Sequence, residues 1–187
     1  MCVPLVAPDQ IECSRVLVRL LEAGDLPSLL QVNSNAEVTA LLPYATWNSL
    51  ADGHAWYDRM RGIEATGTAL QFVVVSKSVN VAIGTCLLFH LEEASARAEL
   101  GYVLGREYWG QGLMREALVG LLSAAFDRMG LRRIEGEVNT RNTASAKLLA
   151  RLGFTKEGLL RQRWVVKGQI EDFELFGLLP GELRCDA

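Results

Sequence analysis

The chain has 187 residues, half of them apolar, with a formal charge of −3. That is the size of one domain with a well-filled core, and it leaves no basic surplus for nucleic acid. No apolar run is long enough to span a bilayer, and the start MCVPLVAPDQ, broken by Pro4 and Pro8 and lacking basic residues, does not read as a signal peptide.

Residues 1–13 read as an extended tail. Arg15 to Leu20 alternates as a strand, with Val16, Val18 and Leu20 on one face. Ala23-Gly24-Asp25 marks a turn and an N-cap, and a helix from Leu26 to about Asn33 follows. A further turn of helix is expected over Glu37–Leu42, stopped by Pro43. Tyr44-Ala45-Thr46 is a loop, and Ser49 suits the N-cap of a helix running to Ala65. Ala69–Ser76 and Val81–Leu91 form a hairpin across Lys77-Ser78-Val79-Asn80. A strand over Arg97–Leu104 leads into a helix from Gly110 to Met129, closed by Gly130. Then come a strand over Arg133–Val138, a helix over Asn142–Leu152 ended by Gly153, and a strand within Phe154–Val166. Lys167-Gly168 turns the chain into a last strand, Asp172–Leu179. The pattern predicts one mixed α/β domain. Its sheet is mostly antiparallel, with flanking helices and one parallel crossover around the 110–129 helix.

The stretch Glu99–Leu118, ELGYVLGREYWGQGLMREAL, carries the chemistry. A strand runs into a turn with Gly110 and Gly112, which opens a helix with Met114, Leu118, Leu121, Leu122, Ala125 and Met129 on one face. A helix start presents unpaired N–H groups and a partial positive charge, and glycines let a ligand come close. This predicts an anion site for a phosphate or diphosphate. A nucleotide-triphosphate loop does not fit: counted from Gly105, its lysine position is Gln111 and its hydroxyl position Gly112. The dinucleotide fingerprint puts Arg115 where a third glycine must pack, although Glu135 sits near the spacing of a ribose-binding acid.

Three segments carry a family resemblance: GYVLGREYWGQGLMREAL, then EVNTRNTASAKLLARLGFTKEG, then DFELFGLL. Together they resemble the GCN5-related N-acetyltransferases (GNAT). Within these, the RimJ/RimL-like branch, which acetylates protein N-termini and small amines, is the nearest match. The likeness is strongest over residues 99–179 and reaches weakly back to RVLVRL at 15–20. It implies a GNAT domain over residues 14–182 between tails 1–13 and 183–187. It also implies acetyl-CoA as cosubstrate, no metal, and an amine acceptor. The main chain of Val103, Leu104 and Gly105 would bind the pantetheine arm. The N–H groups of Gly110, Gln111, Gly112, Leu113, Met114 and Arg115 would hold the diphosphate. Where the broad family has Gln or Arg, this chain has Glu107, which would repel phosphate and is expected to face solvent.

Acetyl transfer needs a neutral amine, a held thioester and a place for negative charge. An α-amine titrates at about 8 and a thiol at about 8.5, so a modest base suffices and an acid is helpful rather than obligatory. Positioning and main-chain stabilisation of the oxyanion would do most of the work. The resemblance maps a CoA contact to Asn142, which is equally a good N-cap residue. It maps an acid to Ser145, which also suits a solvated first turn. Two glutamates compete as base. Glu137 matches the RimI position, and Glu99 matches the RimJ/RimL one on the face of Gly101; either is otherwise a strand carboxylate. A tyrosine acid used by the RimI branch is Leu149 here, and the second RimL-type acid is Trp164. His54 and His90 read as packing residues. Trp56 reads as core and Trp47, near Pro43 and Tyr44, as part of a substrate-facing loop.

Cys2, Cys13, Cys86 and Cys185 are scattered without a C-x-x-C, which suits free thiols in the cytoplasm. The expected activity is N-acetylation of a protein N-terminus. A small-amine acetyltransferase and a CoA-binding module without turnover are the alternatives. Release of CoA thiol on a panel of amines separates them. Neither the acceptor nor a homodimer is readable from the residues.

Overall fold

The computed structural model describes residues 8–185. Eight strands form one sheet: β1 Gln10–Glu12, β2 Val16–Leu20, β3 Ala69–Ser76, β4 Val81–Glu92, β5 Arg97–Leu104, β6 Arg133–Asn139, β7 Thr155–Val166 and β8 Gln169–Leu178. Five α-helices flank it: α1 Leu26–Asn33, α2 Ala36–Thr39, α3 Leu50–Ala65, α4 Leu113–Asp127 and α5 Thr143–Leu152. The strand order is β1-β2-β3-β4-β5-β6-β8-β7. Every neighbouring pair is antiparallel except β5 and β6, which the α4 crossover makes parallel. No helix among the described residues is long and apolar enough to cross a membrane.

Residues 10–12 do not belong to the expected N-terminal tail. Gln10–Glu12 pairs antiparallel with β2, and Ile11 joins the main core. Cys2 lies outside the described residues. The C-terminal end is also tied down as far as Arg184: its N–H donates to Leu152 O at 3.0 Å, and Leu183 packs on the core.

The sheet separates two cores. On one face Phe72, Val74, Leu88, Leu100, Ile134 and Val138 pack against Leu118, Leu121 and Leu122 of α4 and Leu149 and Leu152 of α5. On the other, Val73 and Val75 pack with Leu26 and Leu29 of α1 and Trp56 of α3. Strand alternation then decides where the polar residues go. Glu99, Gly101 and Val103 oppose Leu100 and turn to the α1/α3 face. Glu137 and Asn139 oppose Val138 and do the same. Tyr102 shares the α4/α5 face with Leu100.

The parallel pair is short. Only Arg97–Glu99 is in register with Arg133–Glu135. Past that point β5 and β6 run on to Leu104 and Asn139 without pairing, and a wedge opens between them. An ion-pair network holds the closed end. Glu135 takes Arg97 Nη1 at 2.8 Å and Arg133 Nε at 2.7 Å, and Arg133 also reaches Glu157. Glu135 is therefore a structural carboxylate at the apex.

Candidate active site

A cavity of about 510 Å³ fills the wedge. It is lined from the α1/α3 face by Glu99, Gly101, Val103 and Glu137, and from the other face by Tyr102, Asn142 and Ser145. Both predicted glutamates and the predicted serine and asparagine thus meet in one space. Leu104, Gly105 and the glycine turn are not among its lining. They form the end of β5 and the approach to α4.

The main chain of β5 is divided between its two edges. Gly105 N–H donates to Ile83 O on β4 at 2.8 Å. Alternation therefore turns the main-chain groups of Leu104, Tyr102 and Leu100 toward β6 and the open wedge. Leu104 O is already covered, accepting from Trp109 Nε1 at 2.7 Å. Arg106 stacks on the Trp109 ring, 4.8 Å from its centroid, and pairs with Glu37 of α2 at 2.9 Å. Glu107 is exposed, as its charge requires.

The start of α4 differs from the other long helix starts. Ser49 and Asp52 form a capping box on α3, and Asn142 Oδ1 accepts Ser145 N–H on α5 at 3.1 Å. No side-chain hydrogen bond caps α4. Its N-cap is Gly112, with φ +76°, two residues after Gly110 at φ +74°. Both conformations are left-handed and favour glycine. The first helical bond runs from Glu116 N–H to Gly112 O at 3.0 Å. The N–H groups of Gly112, Leu113 and Met114 precede it and face the helix end. Beside them stands Arg15, which no motif singles out. It donates Nη1 to Gln111 O at 2.9 Å and pairs through Nε with Glu116 at 2.7 Å. Its Nη2 lies 3.5 Å from where a Cβ on Gly112 would sit. Arg115 turns away, donating to Arg184 O at 3.1 Å. The α4 terminus, with two left-handed glycines and a guanidinium at hand, fits a diphosphate.

The two glutamates differ in their partners. Glu137 is held by Arg163 Nη2 at 2.8 Å and Trp164 Nε1 at 2.6 Å. Glu99 is met by His90 Nδ1 at 2.8 Å. His90 is no packing residue; it is exposed and lines the cavity. His54 is exposed on α3. Tyr102, to which no motif assigns a role, brings its hydroxyl within 2.6 Å of Ser145 Oγ. Burial pushes the Tyr102 phenol well above the usual tyrosine range, so it stays protonated. Asn142 performs its capping role, with its side chain turned to Ser145 N–H.

Trp56 is a core residue as expected, and the expectation for Trp47 is corrected. Trp47 is 4% exposed; it packs on Trp56 with ring centroids 5.5 Å apart and lies against Gly53. Its N–H donates to Asn33 O, which draws the loop inward. Trp47 does not reach the cavity, whereas Trp56, buried on α3, forms part of its wall, as do Tyr44 and Trp164.

Comparison with known proteins identifies the family and the fold. Residues 15–155 match the acetyltransferase (GNAT) domain family. An uncharacterized N-acetyltransferase, p20, of Bacillus licheniformis is 35% identical over 174 residues, 93% of this chain and 98% of its own. The ribosomal protein uS5-alanine N-acetyltransferase of Escherichia coli is 33% identical over 113 residues, covering 60% of this chain and 58% of its own. A spermidine N(1)-acetyltransferase of Vibrio cholerae is 25% identical over 90% of this chain and 95% of its own. The crystal structure of a GCN5-related N-acetyltransferase from Brucella melitensis superposes with a TM-score of 0.85 at 25% identity, over 96% of this chain and 82% of that one. The chain belongs to the GNAT family of N-acetyltransferases, acyltransferases that use acetyl-CoA as acetyl donor.

Proposed function

We propose that this acetyltransferase acts on the α-amine of a protein N-terminus. The observation that carries the reading is the wedge itself. It sets two carboxylates on one face of the sheet against a tyrosine–serine hydroxyl pair on the other, with an uncapped, glycine-lined helix start beyond its open end. Acetyl-CoA supplies the activated acetyl group. The N–H groups at Gly112–Met114, with Arg15, would hold its diphosphate. The wedge-facing main chain of Tyr102 and the N–H of Leu104 would pair with its pantetheine arm. This shifts the contact expected of Val103 and Gly105, because strand pairing with β4 occupies the Gly105 N–H.

The partners of each carboxylate favour Glu99 as base. A proton on Glu137 would disrupt its contacts to Arg163 and Trp164, while Glu99, which lines the cavity, meets His90 through one oxygen, Oε1. Tyr102 holds Ser145 so that the serine hydroxyl can meet the departing thiolate. A polycation would call for several unengaged carboxylates, and here both are already met by a cation or a donor. The apolar wall built by Trp56, Leu87, Phe89 and Trp164 suits an N-terminal residue with a modest apolar side chain. Similarity to the uS5-alanine enzyme points the same way.

The test is CoA-thiol release with acetyl-CoA and a panel of Ala-, Ser- and Met-initiated peptides beside spermidine and free amino acids. The proposal expects turnover on peptides at a kcat/KM at least tenfold above spermidine. Faster turnover of spermidine, or binding of acetyl-CoA with no turnover on any amine, contradicts it.

A further inference from the structure

Glu99 does not stand alone. Its side chain is 13% exposed and sunk in the cavity, while the imidazole that touches it is 58% exposed at the rim. The backbone is distorted to make that contact. Phe89 pairs with Glu99 across β4 and β5, and so shares its face. In a regular strand His90 would point to the opposite face. Instead the register shifts between Phe89 and Glu92, and His90 takes φ +48°, a conformation rare outside glycine. The bulge re-aims the ring onto the face of Glu99.

The chemistry gives that ring a task. An α-amine arrives as ammonium, with an ordinary pKa of about 8. A glutamate carboxylate, ordinarily at about 4.3, is between three and four powers of ten too weak to keep that proton; an imidazole, ordinarily at about 6.5, narrows the gap to between one and two. Resting on the reading of Glu99 as the base, we propose that His90 is its proton outlet. The amine N–H bond breaks as an O–H bond forms on the Glu99 carboxyl. With the ring in its Nε2–H form, the proton crosses the Oε1···Nδ1 contact to the bare Nδ1 of His90, which restores the carboxylate and leaves an imidazolium. The imidazolium gives its Nε2 proton to water, and the exposed ring then exchanges its remaining proton from Nδ1 to Nε2 through water, which frees Nδ1 for the next turnover and consumes no co-reactant. His90 acts through Glu99 and does not touch the acceptor.

The test compares H90N with E99Q on an Ala-initiated hexapeptide and on spermidine. Asparagine tolerates the left-handed backbone and can donate to Glu99, but it cannot carry a proton. The expected result for H90N is a kcat lowered by about tenfold or more, with the KM for acetyl-CoA within about twofold of wild type. Imidazole added to the buffer restores the rate in proportion to its concentration and leaves the wild type unchanged. In 15N-histidine spectra the His90 ring shifts move in E99Q. A wild-type kcat in H90N beside an inactive E99Q overturns the outlet and leaves Glu99 as base, and so does a loss that imidazole does not restore. An E99Q enzyme at the wild-type rate, or a wild type with no turnover on either probe, removes the reading beneath the proposal and the proposal with it.

Discussion

Exchanging each glutamate for glutamine should separate the two carboxylates of the wedge. In E99Q the new amide keeps the volume and can still bond to His90, but it cannot take a proton. Loss of a general base ordinarily costs about 10²–10⁴ in rate. At about 1.36 kcal/mol per tenfold, that corresponds to roughly 3–5 kcal/mol of barrier. In E137Q the single amide oxygen can keep the Arg163 Nη2 bond or the Trp164 Nε1 bond but not both, because they are held by different carboxylate oxygens, so the charge and one hydrogen bond are lost. Arg163 is 44% exposed on its side chain, so the ion pair is screened by solvent and its loss should cost little stability. The prediction is an E99Q kcat down by about a hundredfold or more and an E137Q kcat within about tenfold of wild type. Saturating acetyl-CoA, CoA-thiol detection and a thermal melt of each variant make the comparison. A hundredfold loss in E137Q with E99Q unimpaired would refute the argument from hydrogen-bond partners.

Three further outcomes are expected. Tyr102→Phe removes the hydroxyl 2.6 Å from Ser145 Oγ; it should lower kcat several-fold, leave the KM for acetyl-CoA unchanged and cost about 1 kcal/mol of stability by melt. Gly153→Ala should serve as a folding control. Its Cβ would fall 2.0 Å from Glu182 O at φ +102°, so a loss of about 2 kcal/mol or more, read as a Tm lower by about 4–8 °C, is expected. Burial opposes ionisation of Glu116, but the Arg15 N–H and guanidinium outweigh it and hold the carboxyl below the usual glutamate range. That contribution to stability is complete above the ordinary glutamate pKa and is lost as pH falls through the lowered one. Between pH 6 and pH 3, E116Q should therefore lose less Tm than the wild type.

The long elements are legible because their ends are marked by local chemistry. Ser49 with Asp52 starts α3, Gly112 starts α4 and Gly153 stops α5; each signal acts within a few residues and survives in the sequence. β1 is not legible, because Gln10–Glu12 offers one apolar side chain, Ile11, and gains its place through distant contacts, pairing with β2 and burial of Ile11 in the main core. The expectation for Trp47 fails for a similar reason. A loop beside Pro43 reads as exposed, yet Trp47 is drawn inward through Asn33 O and the space above Gly53, contacts made with α1 and α3. Glu99, Glu137, Asn142 and Ser145 follow from motif and alternation, and all four line the cavity. The residues that complete the site are hidden by long-range effects. Tyr102 looks like one more strand residue until Ser145, forty-three positions on, meets its hydroxyl. His90 looks like a strand residue of the wrong face until the bulge turns it. Arg15 is bound to the glycine turn across a separation of ninety-six residues.

The central claim is that the α4 terminus grips the diphosphate of acetyl-CoA while the thioester lies in the β5–β6 wedge. A crystal structure of the acetyl-CoA complex tests it most directly. Diphosphate oxygens should lie within about 3.2 Å of the main-chain nitrogens at Gly112–Met114, with the acetyl group between Glu99 and Ser145. Ordered acetyl-CoA elsewhere on the molecule, or a diphosphate away from Gly112, would contradict the account.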